Sequence, residues 1–197
     1  AIAGLLILAL RFFVTTQMGA RLIEGQINKR SFGPIERIEV SGLSGDPLGE
    51  FQVGSVKFYD KQGLWSTADS ISVEWDAYAA LRKNLDFKSL EIEDVSVLRQ
   101  PTLNPSDPTA EFNYRITLSE AEVRNFAISD TILPEAAEFS ITTTFVSEPN
   151  GFIEARLNAV QNNKAGDSVV LDFGRSPESI LSGDFELNGT ANGTLAT

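Results

Sequence analysis

The sequence predicts a mainly β chain, rich in antiparallel strands, that follows an N-terminal transmembrane helix and carries one short helical insert. Three observations predict it. Apolar residues alternate with polar ones through Phe32–Pro101 and again after Phe112, the period-2 pattern of strands with one apolar face. Gly, Pro, Asn and Asp gather in the gaps between these runs, where reverse turns need them. The chain opens on an unbroken apolar run, Ala1–Leu10.

That run continues past Arg11 into Phe12, Phe13 and Val14. A bilayer-spanning helix needs about 20 apolar residues, so the run reads as the end of an uncleaved span that starts upstream of Ala1. Its anchor residues are Ile2, Leu5, Leu6, Ile7, Leu8, Leu10, Phe12, Phe13 and Val14. A signal-peptide core is the competing reading, but Thr15–Met18 offers no small-x-small cleavage site. Arg11 is placed to snorkel to the headgroups. Met18–Asn28 continues as helix, with Leu22, Ile23 and Ile27 near one face, and Phe32-Gly33-Pro34 ends it. Residues 1–31 therefore form the membrane and juxtamembrane segment.

The first β unit spans residues 32–100. Its apolar pairs are Ile38/Val40, Phe51/Val53, Val56/Phe58, Ile71/Val73/Trp75, Leu85/Phe87 and Val95/Val97. The apolar parity slips by one residue at Gly54, as it does at a β-bulge. Leu90/Ile92 slips again relative to Leu85/Phe87, with no local residue to account for it. Asp60–Gly63 reads as a hairpin loop. The insert, residues 76–84, has Asp76 as its cap and Tyr78, Ala80 and Leu81 available for packing. Residues 101–113, with Pro101, Pro105 and Pro108, read as a loop or linker. A second β unit, 114–197, holds Ile116/Leu118, Phe126/Ile128, Phe139/Ile141/Phe145, Ile153/Leu157, Val169/Leu171/Phe173 and Phe185/Leu187. Turns at Glu148–Gly151 and Asn162–Asp167 join its strands as hairpins.

Composition removes several chemistries. The 197 residues include no Cys and no His, which excludes disulfides, thiolate metal sites and imidazole acid–base catalysis. A net charge of −11 repels phosphate backbones, so nucleic acid is not an expected partner. The remaining nucleophile design is Ser–Lys, and Lys57, Lys61, Lys83, Lys88 and Lys164 all sit in solvated contexts. Glu91, Glu93 and Asp94 supply too few oxygens for a hard cation and read as a solvated strand face. The sequence also has no Gly-rich phosphate loop. The chain is expected to be non-enzymatic, without metal or cofactor.

The apolar faces decide the function. Pattern alone favours two sheets closed as a sandwich, an interaction or structural domain of an envelope protein. The alternative is one long curled sheet with an open apolar trough, a surface that marks a lipid, membrane or protein site. A lipid chain of about 16 carbons gains on the order of 10 kcal/mol from burial, at roughly 0.8 kcal/mol per CH₂.

The order of short motifs narrows the choice. G-x-R-L-I (Gly19–Ile23) and Q-I-N (Gln26–Asn28) come first, then I-x-V-S-G-L-S-G (Ile38–Gly45) and F-x-V-G-x-V-x-F-Y-D-x-x-G-x-W (Phe51–Trp65). A-D-S-I-S-V-E-W (Ala68–Trp75), the insert A-Y-A-A-L-R-K-N-L (Ala77–Leu85) and V-x-V-L-R-Q-P (Val95–Pro101) follow. This succession, over the first half of the chain, resembles the N-terminus of the TamB family, inner-membrane subunits of the translocation and assembly module within the AsmA-like, bridge-like lipid-transfer group. The resemblance implies a single helix in the bacterial inner membrane and a periplasmic body, a long sheet curled into a U-shaped trough. It implies phospholipid as cargo, a role in assembly of outer-membrane proteins and autotransporters, and an outer-membrane BamA-like barrel partner, TamA, met by a far C-terminal region outside these residues. On that reading the groove lining is Ile38, Val40, Phe51, Val53, Val56, Phe58, Ile71, Val73, Trp75, Leu85, Phe87, Val95, Val97, Phe139, Ile141, Phe145, Ile153, Leu157, Val169, Leu171 and Phe173.

Overall fold

A computed structural model describes residues 21, 24–25, 28, 35–102, 113–162, 167–176 and 181–188. The anchor residues from Ile2 to Val14 lie outside this set. No helix among the described residues is long and apolar enough to cross a membrane.

The described chain is almost all strand: β1 Arg37–Ser41, β2 Ser44–Gly45, β3 Glu50–Asp60, β4 Gly63–Asp76, β5 Asn84–Val97, β6 Arg115–Ile128, β7 Ala137–Ser147, β8 Ile153–Gln161, β9 Ser168–Arg175 and β10 Leu181–Asn188. These form one open ten-stranded sheet in the order β1-β3-β4-β5-β6-β7-β8-β9-β10, with β2 extending the β1 edge along β3. Contacts between elements run between sheet neighbours, plus β5 with the insert. The described strands therefore do not close into the two-sheet sandwich that pattern alone favours.

Every neighbouring pair is antiparallel except β5–β6, which is parallel from Asn84↔Arg115 to Val97↔Ile128. A parallel neighbour needs a crossover rather than a hairpin. The connection therefore falls between Val97 and Arg115, and β6 begins beside the start of β5, at Asn84↔Arg115. The two β units thus join edge to edge as one sheet. The start of the crossover is pinned to the β3–β4 hairpin. Arg99 donates to both carboxylate oxygens of the buried Asp60 and, at 2.9 Å, to the Gly63 carbonyl, while the Thr102 amide donates to Asp60 at 2.7 Å. The Arg99 hydrogen bonds hold the Asp60 carboxyl far below its ordinary value of 3.8, with the Thr102 and Gln62 amides assisting.

The insert is a single 3-10 turn, Ala79–Arg82, ended by Lys83 in the left-handed region at φ 59°. Asp76 is its cap, accepting from the Tyr78 and Ala79 amides at 2.9 and 3.2 Å. One such turn has no apolar stripe long enough to bury. Ala79 alone is buried, Tyr78 is 47% and Leu81 84% exposed, so these two do not pack as expected.

The two parity slips have different causes. At Leu90 the slip is a bulge: Glu74↔Ser89 is followed by Trp75↔Phe87, leaving Lys88 unopposed. The extra residue lets Phe87 and Leu90 reach the same face. At Gly54 no residue is extra, because the register is the same on both sides, Val53↔Ile71 and Ser55↔Asp69. Ser70, opposite Gly54, slips with it and takes φ 54°. The expected one-strand bulge is therefore a distortion that passes in constant register from β3 through β4 and β5 to β6, and is taken up between β6 and β7 at Val123/Phe126.

The first edge of the sheet meets the helical segment. The Val40 amide donates to Asn28 Oδ1 at 2.7 Å, and Asn28 Nδ2 donates to the Val40 carbonyl at 3.2 Å. The Leu43 amide donates to Glu24 Oε1 at 2.8 Å. Asn28 thus offers β1 one donor and one acceptor, as a neighbouring strand would.

Candidate functional site

Cross-strand partners share a face, so the register assembles the apolar residues into rows across the sheet. One row runs Val53–Ile71–Ile92–Val123–Ile141–Ala159–Val169. A second runs Val40–Val56–Ala68–Val95–Phe126–Phe139. A third runs Trp75–Phe87–Leu118–Phe145–Ala155–Phe173, with the Trp75 and Phe87 rings stacked at 5.6 Å. Phe51, Val73, Leu157 and Leu171 lie in the row between the first and third. Ile38, Phe58 and Val97 lie beyond the second, and Leu85 and Ile153 beyond the third.

All the residues named as candidate lining therefore fall on one face. The candidate lining omitted β6, although Ile116/Leu118 and Phe126/Ile128 read as strand pairs. Ile116, Leu118, Ala121, Val123, Phe126 and Ile128 all join the rows, as do Leu90, Ile92 and Ala68. The β6 set slips phase twice, at Leu118/Ala121 and Val123/Phe126, which hides the alternation from a strict period-2 scan.

Burial divides this face. Val40, Val53, Ala68, Ile71 and Val73 form one buried cluster, shielded by Phe51, Phe58, Trp75, Phe87 and others on the same side. Ala137, Phe139 and Ala159 form a second, smaller cluster, with Leu133 of the β6–β7 connection against it. Most large side chains of the face are only half-buried, and Leu171 is 37% exposed.

The opposite face is polar. Arg124 lies among Glu93, Glu91 and Glu122 at 2.7, 3.6 and 4.0 Å, and Asn125 donates to Asp94 at 3.0 Å. The acidic cluster read from the sequence is thus neutralised in part by a cation from the next strand. No group of acidic side chains suited to a metal occurs among the described residues. Lys88 pairs with Glu74 at 3.2 Å and Arg156 with Asp172 at 2.8 Å, all at solvated positions. Lys57, Lys61 and Lys83 are exposed, and Lys164 lies outside the described residues.

Across the path of strands the face is about 38 Å wide at roughly 4.8 Å per strand. One leaflet's hydrocarbon is about 15 Å deep, half the roughly 30 Å core of a bilayer. The face is therefore large enough to lay acyl chains against. Comparison of the chain with protein-family profiles, with curated proteins and with solved structures gives no match.

Proposed function

We propose that the chain is a membrane-anchored, periplasmic β-trough of the inner membrane, which guides phospholipid acyl chains toward the outer membrane along its apolar face and supports assembly of outer-membrane proteins. One observation carries the reading: three unbroken apolar rows on a single sheet that no second layer covers among the described residues. The nearly complete burial of Val53, at 7% exposed, supports curling at β3–β5, because side chains around a concave surface shield one another. The apolar run at the N-terminus supplies the anchor in this reading. The resemblance to the TamB family supplies the compartment, the phospholipid and the TamA partner.

The test uses photo-crosslinking side chains in the anchored chain within bacterial membranes. Probes at Val73, Phe87 and Ile141 capture lipid, and probes at Glu74 and Thr142, on the polar face, do not. Equal capture on both faces overturns the reading.

A further inference from the structure

The one-turn insert leaves two large side chains in solvent. Leu81 is 84% exposed and Tyr78 is 47% exposed, on a turn whose first amides are bonded to Asp76. Tyr114 stands nearby, because the Arg115 amide donates to the Lys83 carbonyl at 2.9 Å, and it too is more than a third exposed. A capped turn that displays Leu and Tyr presents apolar and amphipathic side chains of the kind found at interfaces.

The position of this turn identifies what covers it. Asn28 meets Val40 and Glu24 meets Leu43, so the helical segment runs antiparallel to β1. Followed back from Asn28 toward Arg21, it leads to the Gly45–Gly49 end of the sheet. Trp75, at the end of β4, is bonded to that same end, its amide to the Gly49 carbonyl and its indole to the Pro47 carbonyl. The insert follows β4 directly. The exposed turn therefore stands at the end of the sheet that the described part of the helical segment approaches on going from Asn28 to Glu24, and the apolar stretch Ala1–Val14 comes earlier in the sequence.

We infer that the Tyr78–Lys83 turn is a membrane-contacting loop: Leu81 and Tyr78 enter the interfacial layer of the bilayer that holds the N-terminal segment. Arg82 and Lys83 on the turn are matched by Asp76 and Asp86 at the adjoining strand ends. The contact therefore depends on apolar side chains and not on anionic headgroups. It sets the apolar face at a defined height above the lipid, which goes beyond the groove itself.

The chain has no native Cys, so single labels are unambiguous. Leu81→Cys and Thr131→Cys, the second on the β6–β7 connection at the opposite end of the sheet, are each labelled with an environment-sensitive fluorophore. The 197-residue chain is reconstituted in phosphatidylcholine vesicles with and without lipids carrying a doxyl quencher near the headgroup. The expected result is a blue-shifted emission at position 81 that the doxyl lipids quench, and neither effect at position 131. A label at 81 that stays unquenched in floated proteoliposomes overturns the inference, as does a chain that fails to float with the vesicles. Failure of the groove reading is distinct, since it leaves this quenching pattern intact while abolishing face-selective crosslinking.

Discussion

The two ends of the sheet solve the same problem differently. In β1–β5 the apolar face is rich in Val, Ile, Phe and Trp, and Val40, Val53, Ile71 and Val73 are buried on it. In β7–β9 the strands alternate without a slip, from Ala137 to Ser147 and from Ile153 to Gln161, yet the face holds Ala155, Ala159 and Thr143 and leaves Leu171 exposed. Regular alternation alone does not bury a face. The N-terminal half carries the shared Gly54/Ser70 slip and the Lys88 bulge, and such irregularities add twist and bend. Burial within one layer follows from side-chain size combined with these bends.

The comparison breaks or sharpens under substitution, and the largest contrast is in burial. Ile71→Ala costs about 2–4 kcal/mol, the range for a buried large-to-small change, whereas Leu171→Ala costs less than about 1 kcal/mol. Urea unfolding of the two variants measures the difference. Equal losses would place both halves under the same cover.

The glycines give the next contrast. Gly42 has φ 75°, and a Cβ there would stand 3.0 Å from the Gly54 backbone. Gly151 has φ 89° but open space around it. Gly42→Ala therefore costs about 2 kcal/mol or more, strain plus displacement of β3, and Gly151→Ala about 1 kcal/mol, strain alone. Thermal melts of the pair check the order.

A smaller effect separates the halves in acid. Asp60 has its carboxyl depressed below 3.8 by Arg99. Its contribution to stability is therefore present in full above about pH 4 and lost as pH falls below that value. Asp60→Asn lowers stability at neutral pH and removes that part of the acid dependence, which unfolding midpoints from pH 2 to 7 record. The pair in the C-terminal half, Arg156–Asp172, is solvated on both sides. Arg156→Gln leaves the neutral-pH midpoint unchanged within error, since exposed ion pairs contribute little.

Much of this architecture was legible because a strand with one apolar face must alternate, and register then gathers residues such as Val53, Ile71 and Ile141 into one row. The parallel placement of β6 was not legible: a half-buried strand has the same pattern whichever way its neighbour runs. Nor was the shared slip, since Ser70 shows no local sign of a left-handed backbone. The insert was legible in its cap, Asp76, but not in its length, because Ala77–Lys83 has helix-forming residues that the β4–β5 connection cuts to one turn. The anchor reading rests on residues outside the described set.

The bond from Asn28 to Val40 has a consequence for aggregation. An exposed edge strand is a template on which another chain can add. A side-chain amide occupies the donor and acceptor of Val40, and Glu24 occupies the Leu43 amide, so a foreign strand must first displace the chain's own segment at the β1 margin. The sheet is thereby obstructed at its first margin.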